Sequence, residues 1–193
     1  KRWFVNNHSS QFFIIFLIIF FILFYSNTVS MKRHFFILIT CLVCITLLPF
    51  SHNKQTIRVL DNEHILTPAQ VNSLDSLYKA HEKITTNEMA LVTTPDFGKD
   101  SGIVSFATRL GNKYGIGKKG KDNGILIVFS EAQRQVRIST GYGTEKILTD
   151  AIAKKIIDSL MTPEFKQANY FDGLWQGSKA IVTFLEKPEN RIN

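Results

Sequence analysis

Acidic side chains and glycines cluster at the ends of two neighbouring extended segments. Asp122 and Asn123 lie in "DNG", directly before the apolar run Gly124–Ser130, and Glu145 follows "GYG" after the alternating segment Val136–Thr140. A polar turn joins these two segments, which predicts an antiparallel hairpin. In such a hairpin the start of the first strand lies beside the end of the second. We therefore expect Asp122, Asn123 and Glu145 to lie close together.

Two further carboxylates extend this group. Asp150 opens the next predicted helix, and Asp61 ends the first predicted strand. If that strand runs parallel to Val136–Thr140, Asp61 reaches the same edge of the sheet. Loop carboxylates and carbonyls suit calcium or magnesium, so the predicted ligands for a divalent cation are Asp61, Asp122, Asn123, Glu145 and Asp150. The alternative is that "DNG" forms a plain turn and Asp150 an ordinary first-turn helix residue.

A glycine-rich stretch, "GIGKKGKDNG" at Gly115–Gly124, matches the first seven positions of a phosphate-binding loop. Asp122 stands where that loop needs Ser or Thr to hold magnesium. A helix is predicted before the stretch and a strand after it, which is the reverse of the order that points helix N–H groups at phosphates. We therefore predict no nucleotide site here. An anion could still bind its lysines, although a solvated loop is the simpler interpretation; these are Lys118, Lys119 and Lys121.

Catalytic groups are scarce in the rest of the chain. Beyond residue 51 the histidines are His52, His64 and His81, and no cysteine follows Cys44. His81 lies on the apolar face of a predicted helix and is expected to be a packed side chain. Without a nucleophile, any hydrolysis would have to be metal-assisted. The metal would be held by the predicted cation ligands given above, and the sheet edge where they are expected is called the acidic edge.

The elements that position these residues alternate along the chain. "TPAQ" predicts a helix with Thr67 as N-cap, Pro68 in the first turn and Gln70 closing a capping box. The predicted order is β-α-β-α-β-β-α-α, with strands at 56–60, 88–94, 124–130 and 136–140. This order predicts an α/β fold, a three-layer α/β/α sandwich around a small mixed sheet of about four strands.

Two apolar runs, Phe12–Tyr25 and Phe35–Phe50, precede this domain. Read from Met31, "MKRH" followed by the second run has the pattern of a signal peptide or membrane anchor. We expect residues 1–30 to be translated upstream sequence or an extra hydrophobic segment, 31–51 the signal or anchor, 52–189 the domain and 190–193 a polar tail. The alternative is a two-helix membrane hairpin. The domain is expected to be exported, either periplasmic or anchored on the non-cytoplasmic side.

The charge distribution argues against a nucleic-acid partner. The net charge is +7, but four of the 23 basic residues and none of the 16 acidic ones lie in residues 1–51. The remainder carries a net charge of only +3 and has no Arg-rich stripe with interleaved aromatic residues. We therefore expect a membrane and other envelope proteins as partners, and no nucleic acid.

Several motifs together resemble the TPM domain family, between about Arg58 and Glu186. They are "VLDNEHILTPAQ", "YGIGKKGKDNGILIVFSEAQRQVRISTGYGTEKILTD" and "PEFKQANYFDGLWQGSKAI". "DNG" before an apolar strand, followed by "GYG-x-E", is the specific part. The family is found in thylakoid phosphatase-like proteins, in exported or membrane-anchored bacterial proteins and in an accessory subunit of nematode acetylcholine receptors.

The resemblance implies a three-layer fold on the non-cytoplasmic side of a membrane. It implies divalent-cation binding, calcium included, by loop acidic residues that match Asp61, Asp122, Asn123, Glu145 and Asp150. It also implies weak acid phosphatase activity as an alternative. A further alternative, taken from the residues themselves, is an adaptor that docks a membrane complex through exposed aromatic side chains, although core packing is the simpler interpretation of them; they are Phe165, Tyr170, Phe171 and Trp175. The chain departs from the family in reading "YGIG" where many members read Trp-Gly-x-Gly, and Thr144 where many have Leu.

Overall fold

The computed structural model describes residues 58–191 of the chain. These residues belong to one compact unit with four strands, and helices follow every strand except the third, which a turn joins to the fourth. The strands are β1 (Val59–Asp61), β2 (Glu88–Thr93), β3 (Gly124–Ser130) and β4 (Gln135–Thr140). The helices are α1 (Pro68–Thr85), α2 (Ile103–Tyr114), α3 (Tyr142–Glu145), α4 (Asp150–Ile156), a π-helix (Ile157–Met161), α5 (Thr162–Phe165), α6 (Tyr170–Leu185) and a 3₁₀-helix (Pro188–Asn190).

The sheet is mixed and its strands follow in the order β1-β2-β3-β4. β1, β2 and β3 are parallel, with Val59 beside Leu91 and Leu91 beside Ile127. β4 is antiparallel to β3, with Ile138 beside Ile127. The α/β class and the mixed four-stranded sheet are therefore confirmed. The condition that would bring Asp61 to the acidic edge is wrong, because β1 runs antiparallel to β4.

Apolar side chains cover both faces of the sheet. On one face, Leu91 and Ile127 pack with side chains of α1 and α6, among them Tyr78 and Leu174. On the other face, side chains of β2 and β3 pack against α2, and these include Val92, Leu126, Val128, Phe106 and Leu110. The continuous apolar run of β3 is explained by this double coverage, since every residue of the strand is buried.

Local sequence signals set the helix bounds. Thr67 Oγ1 accepts from the backbone N–H of Gln70, and the Gln70 side chain accepts from the N–H of Thr67, so the predicted capping box begins α1. Gly115 ends α2 in the left-handed conformation. Helical spacing predicts an apolar face of α1 formed by Leu74, Leu77, Tyr78, His81 and Ile84. This prediction is wrong for Ile84, which is 53% exposed. The next residue, Thr85, is buried, so the buried face continues to the end of α1 and Ile84 lies to one side of it.

The aromatic residues near the C-terminus pack against the core. Phe165 and Tyr170 lie 4.5 and 5.6 Å, respectively, from the ring centroid of Phe129, and Phe171 stacks on Trp175. All four are half-buried and pack against the core, which favours core packing over an exposed aromatic anchor. Among residues 58–191, no helix has the length and apolar character needed to span a bilayer. The predicted signal or anchor at 31–51 lies outside the described residues.

Candidate functional site: a cavity between α2 and β4

A cavity of about 380 Å³ lies between α2 and β4, and we call it the α2–β4 cavity. Its floor is formed by β4 side chains that point toward α2, and its mouth by the loop before β3 and by α3. Four charged side chains line it: Asp122, Arg137, Glu145 and Asp150. The predicted juxtaposition of Asp122 with Glu145 therefore exists in the fold, since both residues line one cavity.

Backbone contacts hold the two acidic segments together. The N–H of Gly143 donates to the carbonyl oxygen of Asp122 at 3.0 Å, and the N–H of Gly141 donates to Gly124 at 2.9 Å. A Cβ atom at Gly141 would lie 2.2 Å from the carbonyl oxygen of Asp122, and one at Gly143 would lie 2.0 Å from that of Lys121. Only glycine permits this approach, so the "GYG" motif serves contact between backbones.

The carboxylates of Asp122 and Glu145 are the acidic groups of the cavity that are not paired with Arg137. Asp122 adopts φ of 48° in the turn that enters β3, and Glu145 ends the short helix α3. Both residues are exposed. Within the described part of the chain, neither carboxylate has a hydrogen-bond or ion-pair partner among the protein groups. They are therefore available to a cation or to a basic ligand.

Asp150 forms an ion pair with the side chain of Arg137. Its Oδ1 accepts from Nη2 of Arg137 at 2.9 Å, and the Asp150 side chain is 65% exposed. The Nε atom of Arg137 is buried and has no hydrogen-bond partner. Thr149 caps α4 and fixes Asp150 in its first turn. Arg137 contacts only Oδ1 in the structure, so Oδ2 of Asp150 is left to accept from another group.

The side chain of Asn123 points into the protein interior and not into the cavity. Its side chain is fully buried, and Oδ1 accepts from the N–H of Lys118 at 2.8 Å. Its Nδ2 donates to the carbonyl oxygen of Thr86 at 2.9 Å and to Oδ1 of Asn87 at 3.2 Å. These bonds tie the loop before β3 to the turn before β2. Asn123 thus holds the loop that presents Asp122.

Asp61 lies at the opposite end of the sheet. β1 ends beside Thr93 of β2, whereas Asp122 lies before the start of β3. Oδ1 of Asp61 accepts from Oγ1 of Thr93 at 2.5 Å, and Oδ2 accepts from the N–H of Leu66 at 2.8 Å. These bonds fix the loop that leads to α1. The parallel pairing of β1 separates Asp61 from the cavity, so a shared site with Asp122 does not form.

The described residues contain no group of three or more His, Cys, Asp or Glu side chains close enough to hold a metal ion. The three carboxylates of the α2–β4 cavity therefore do not form a closed ligand set. Since Asp122 and Glu145 are not paired with Arg137, an ion held in this cavity would contact them first, with carbonyl oxygens and water completing its coordination.

One lysine of the basic loop before β3, Lys118, forms ion pairs with two glutamates. Nζ of Lys118 lies 2.6 Å from a carboxylate oxygen of Glu82 and 2.6 Å from one of Glu88. These hydrogen bonds raise the pKa of Lys118. Arg58 joins the network through Glu82, at 2.7 Å. Lys118 is therefore not available to an anion, whereas Lys119 and Lys121 are exposed.

The histidines lie away from the cavity or outside the described residues. His81 is fully buried, as predicted, with Nδ1 3.2 Å from Glu186 and Nε2 3.2 Å from Oγ1 of Thr85. Burial lowers its pKa, and the hydrogen bond and charge of Glu186 oppose that shift. His64 is exposed at the other end of the sheet, in the loop after β1. His52 lies outside the described residues.

The fold and the motifs match known proteins. The sequence model of a family described as "TPM domain" matches residues 59–184. The solution NMR structure of the N-terminal domain of a protein from P. gingivalis is 31% identical, with a TM-score of 0.65, and the match covers 73% of this chain and 89% of that one. The chain belongs to the TPM domain family. The predicted resemblance is thereby confirmed.

More distant structures share the fold of this TPM domain. The BA42 protein from Bizionia argentinensis is 19% identical with a TM-score of 0.57, covering 65% of this chain and 85% of that one. The N-terminal domain of the cg2496 protein from Corynebacterium glutamicum is 11% identical with a TM-score of 0.53, covering 65% and 78%. A comparison with curated proteins finds no match.

The sequence reasoning missed the β4 side of the cavity in this TPM domain. Arg137 and Ser139 line it from alternate positions of β4, and Tyr142 lines its mouth. The alternation of Val136–Thr140 could have indicated which residues of β4 face α2, because each face of a strand carries every second residue. Val136 and Ile138 mark the core face, so Arg137 and Ser139 belong to the other face.

Proposed function

We propose that this TPM domain binds a divalent cation, calcium or magnesium, in the α2–β4 cavity. The observation that supports this function is that Asp122 and Glu145 line one cavity while their carboxylates lack protein partners among the described residues. Both cations prefer oxygen ligands, and calcium accepts a mixture of carboxylates, carbonyls and water. The ligands proposed are Asp122 and Glu145, with Asp150 contributing the carboxylate oxygen that does not contact Arg137.

The proposed place of action is the non-cytoplasmic side of a membrane. The support is the sequence pattern of Lys32 and Arg33 before the apolar run Phe35–Phe50. An exported domain that binds a cation without a strong nucleophile suits an interaction or maintenance role among envelope proteins. The further alternative of an adaptor for a membrane complex shares this location but does not need the cation.

A weak metal-dependent phosphatase is the second candidate, and Arg137 favours it. Its buried Nε has no hydrogen-bond partner, and its guanidinium lines the same cavity as the two free carboxylates. An arginine and a cation held side by side could bind a phosphate oxygen pair. Water activated by the cation would then be the nucleophile.

Calorimetric titration of residues 55–193 with Ca²⁺ and with Mg²⁺ tests the cation site. We expect a dissociation constant on the order of 10⁻⁴ to 10⁻³ M for Ca²⁺, the range of extracellular calcium modules. Asp122→Asn and Glu145→Gln should each weaken binding at least about tenfold, because each removes a charged ligand. Asp158→Asn is the matched control, since Asp158 is an exposed helix carboxylate outside the cavity. Equal heats for wild type and both cavity variants would refute the proposal.

Hydrolysis of an aryl phosphate separates the second candidate from the first. The phosphatase predicts turnover that EDTA, Asp122→Asn and Arg137→Gln each abolish. Cation binding without turnover leaves the first proposal standing alone. Turnover that survives all three treatments would indicate a contaminating enzyme and would reject the phosphatase.

A further inference from the structure

Unpaired lysines gather at the edge of the sheet where β1, β2 and β3 begin. We call this the lower edge; it comprises Arg58, the C-terminal turns of α1 and α2, the loop 115–123 and the segment 141–146. Within the described part of the chain, five exposed lysines of this edge have no ion-pair partner, namely Lys83, Lys113, Lys119, Lys121 and Lys146.

The carboxylates of the lower edge do not balance these lysines. Glu82 and Glu88 are already paired with Arg58 and Lys118. The exposed carboxylates that remain on the loop and the segment are Asp122 and Glu145. The lower edge is therefore net positive. A positive surface of this kind attracts anionic partners over distances of about a Debye length.

Large apolar side chains are exposed at the same edge. Ile84 is 53% exposed, Tyr114 55% and Tyr142 81%. They are three of the four large hydrophobic residues of the described domain with such exposure, and the fourth, Val104, lies in the first turn of α2 at the other end of that helix. Tyrosine beside lysine is the composition found at membrane–water interfaces, where the ring lies at the level of the headgroups.

The opposite edge of the sheet has the other sign of charge. Asp61 ends β1, and Glu63, Asp96 and Glu131 lie in the loops that follow β1, β2 and β3. Lys99 and Arg134 are the basic residues of the same loops. Residues 58–191 are therefore polarised along the strand direction, and of their two sheet edges only the lower one combines positive charge with exposed tyrosine.

The chain enters the described domain at the lower edge. Arg58 precedes β1, and seven residues, 51–57, separate it from Phe50. Seven extended residues span at most about 25 Å. If Phe35–Phe50 is the membrane anchor of the proposed function, this edge must remain within that distance of the bilayer. The inference below rests on that part of the proposed function.

We infer that the lower edge is a membrane-facing surface that binds the headgroups of an anionic lipid bilayer. The five unpaired lysines contact lipid phosphates, and Tyr114 and Tyr142 lie at the headgroup level. Each lysine close to an anionic surface adds to the affinity independently of shape. Binding would orient the α2–β4 cavity toward the membrane, because Asp122 and Glu145 open at the same edge.

Co-sedimentation of residues 55–193 with lipid vesicles tests the surface alone. This fragment is a compact unit with its own core, and the similar P. gingivalis structure is likewise of a domain. We expect binding to vesicles of equal parts phosphatidylglycerol and phosphatidylcholine that weakens with salt, and little binding to phosphatidylcholine alone. The double variant Lys119→Gln/Lys121→Gln should bind about 25-fold more weakly, from about fivefold for each lysine. The matched control, Lys99→Gln/Lys166→Gln, should bind like wild type.

Several results would overturn the inference. Equal binding to neutral and mixed vesicles, or equal losses in the two double variants, would remove the role of the lower edge. Self-association of the fragment that both lysine substitutions abolish would assign the surface to a second copy of the chain. Protease protection of the full chain in membranes tests the anchor separately, so an anchored chain whose fragment ignores vesicles refutes only the surface.

Discussion

The backbone N–H of Gly143 donates a hydrogen bond to the carbonyl oxygen of Asp122 at 3.0 Å. This bond fixes the helical turn that presents Glu145 against the loop that presents Asp122. The space between them has no room for a side chain, since a Cβ at position 143 would meet the Lys121 carbonyl oxygen at 2.0 Å. The geometry of the candidate cation site is therefore encoded by a glycine that carries no ligand atom.

Gly143→Ala should destabilise the domain and weaken cation binding together. The loop backbone must move to admit the methyl group, and we expect a loss of about 1–3 kcal/mol in the free energy of unfolding. Urea denaturation measures the loss and calorimetry the binding. Gly111→Ala is the control, because its Cβ meets nothing within 4 Å and α2 should gain up to about 1 kcal/mol from the better helix former. Similar stabilities for the two variants would contradict the packing role of Gly143.

Exchanging the side-chain types of two adjacent residues, Asp122 and Asn123, should destabilise the domain strongly at Asn123 and hardly at all at Asp122. Asn123→Asp puts a charge into a buried site and removes the donor to Thr86 and Asn87, so unfolding should become easier by at least about 2 kcal/mol. Asp122→Asn should change stability by less than about 0.5 kcal/mol, because the residue is exposed and asparagine tolerates its positive φ.

Thermal unfolding of the two variants, followed by circular dichroism, checks this contrast. Calcium titration adds a second readout, since Asp122→Asn should lose binding while remaining folded. A stable Asn123→Asp variant that binds calcium more tightly than wild type would show that Asn123 faces the cation after all.

These two residues also show what the sequence could and could not predict. The elements follow from local signals: the capping box at Thr67, the apolar run of β3 and the alternation of β4. The proximity of Asp122 and Glu145 follows from one hairpin. The strand that pairs with β1 and the direction of that pairing depend on residues distant in sequence, and no local pattern in three residues specifies them. The sequence therefore predicts the wrong edge of the sheet for Asp61. The direction of the Asn123 side chain depends on Thr86 and Asn87, which are distant in sequence.

Lys118 should contribute to stability, whereas its neighbour Lys119 should not. Lys118→Gln removes the contacts with Glu82 and Glu88, but the lysine side chain is 43% exposed, so solvent screens the interaction. We expect a loss of about 1 kcal/mol at low ionic strength, and less at high salt. Lys119→Gln serves as the control and should be neutral within about 0.5 kcal/mol. Urea denaturation at two salt concentrations distinguishes them, and a salt-independent loss would argue against an ionic role.

His81 should make stability fall as the pH drops below about 6.5, its ordinary pKa. Burial lowers the pKa of His81 in the folded domain, and the hydrogen bond and charge of Glu186 only partly oppose this. Between the lowered pKa and 6.5 the unfolded chain therefore binds more protons than the folded one. The stabilising contribution is complete above 6.5 and is lost as the pH falls through the folded-state value. Denaturation measured from about pH 7 to about pH 5 should show this slope, and His81→Gln should flatten it. An unchanged slope in the variant would assign the pH dependence to carboxylates instead.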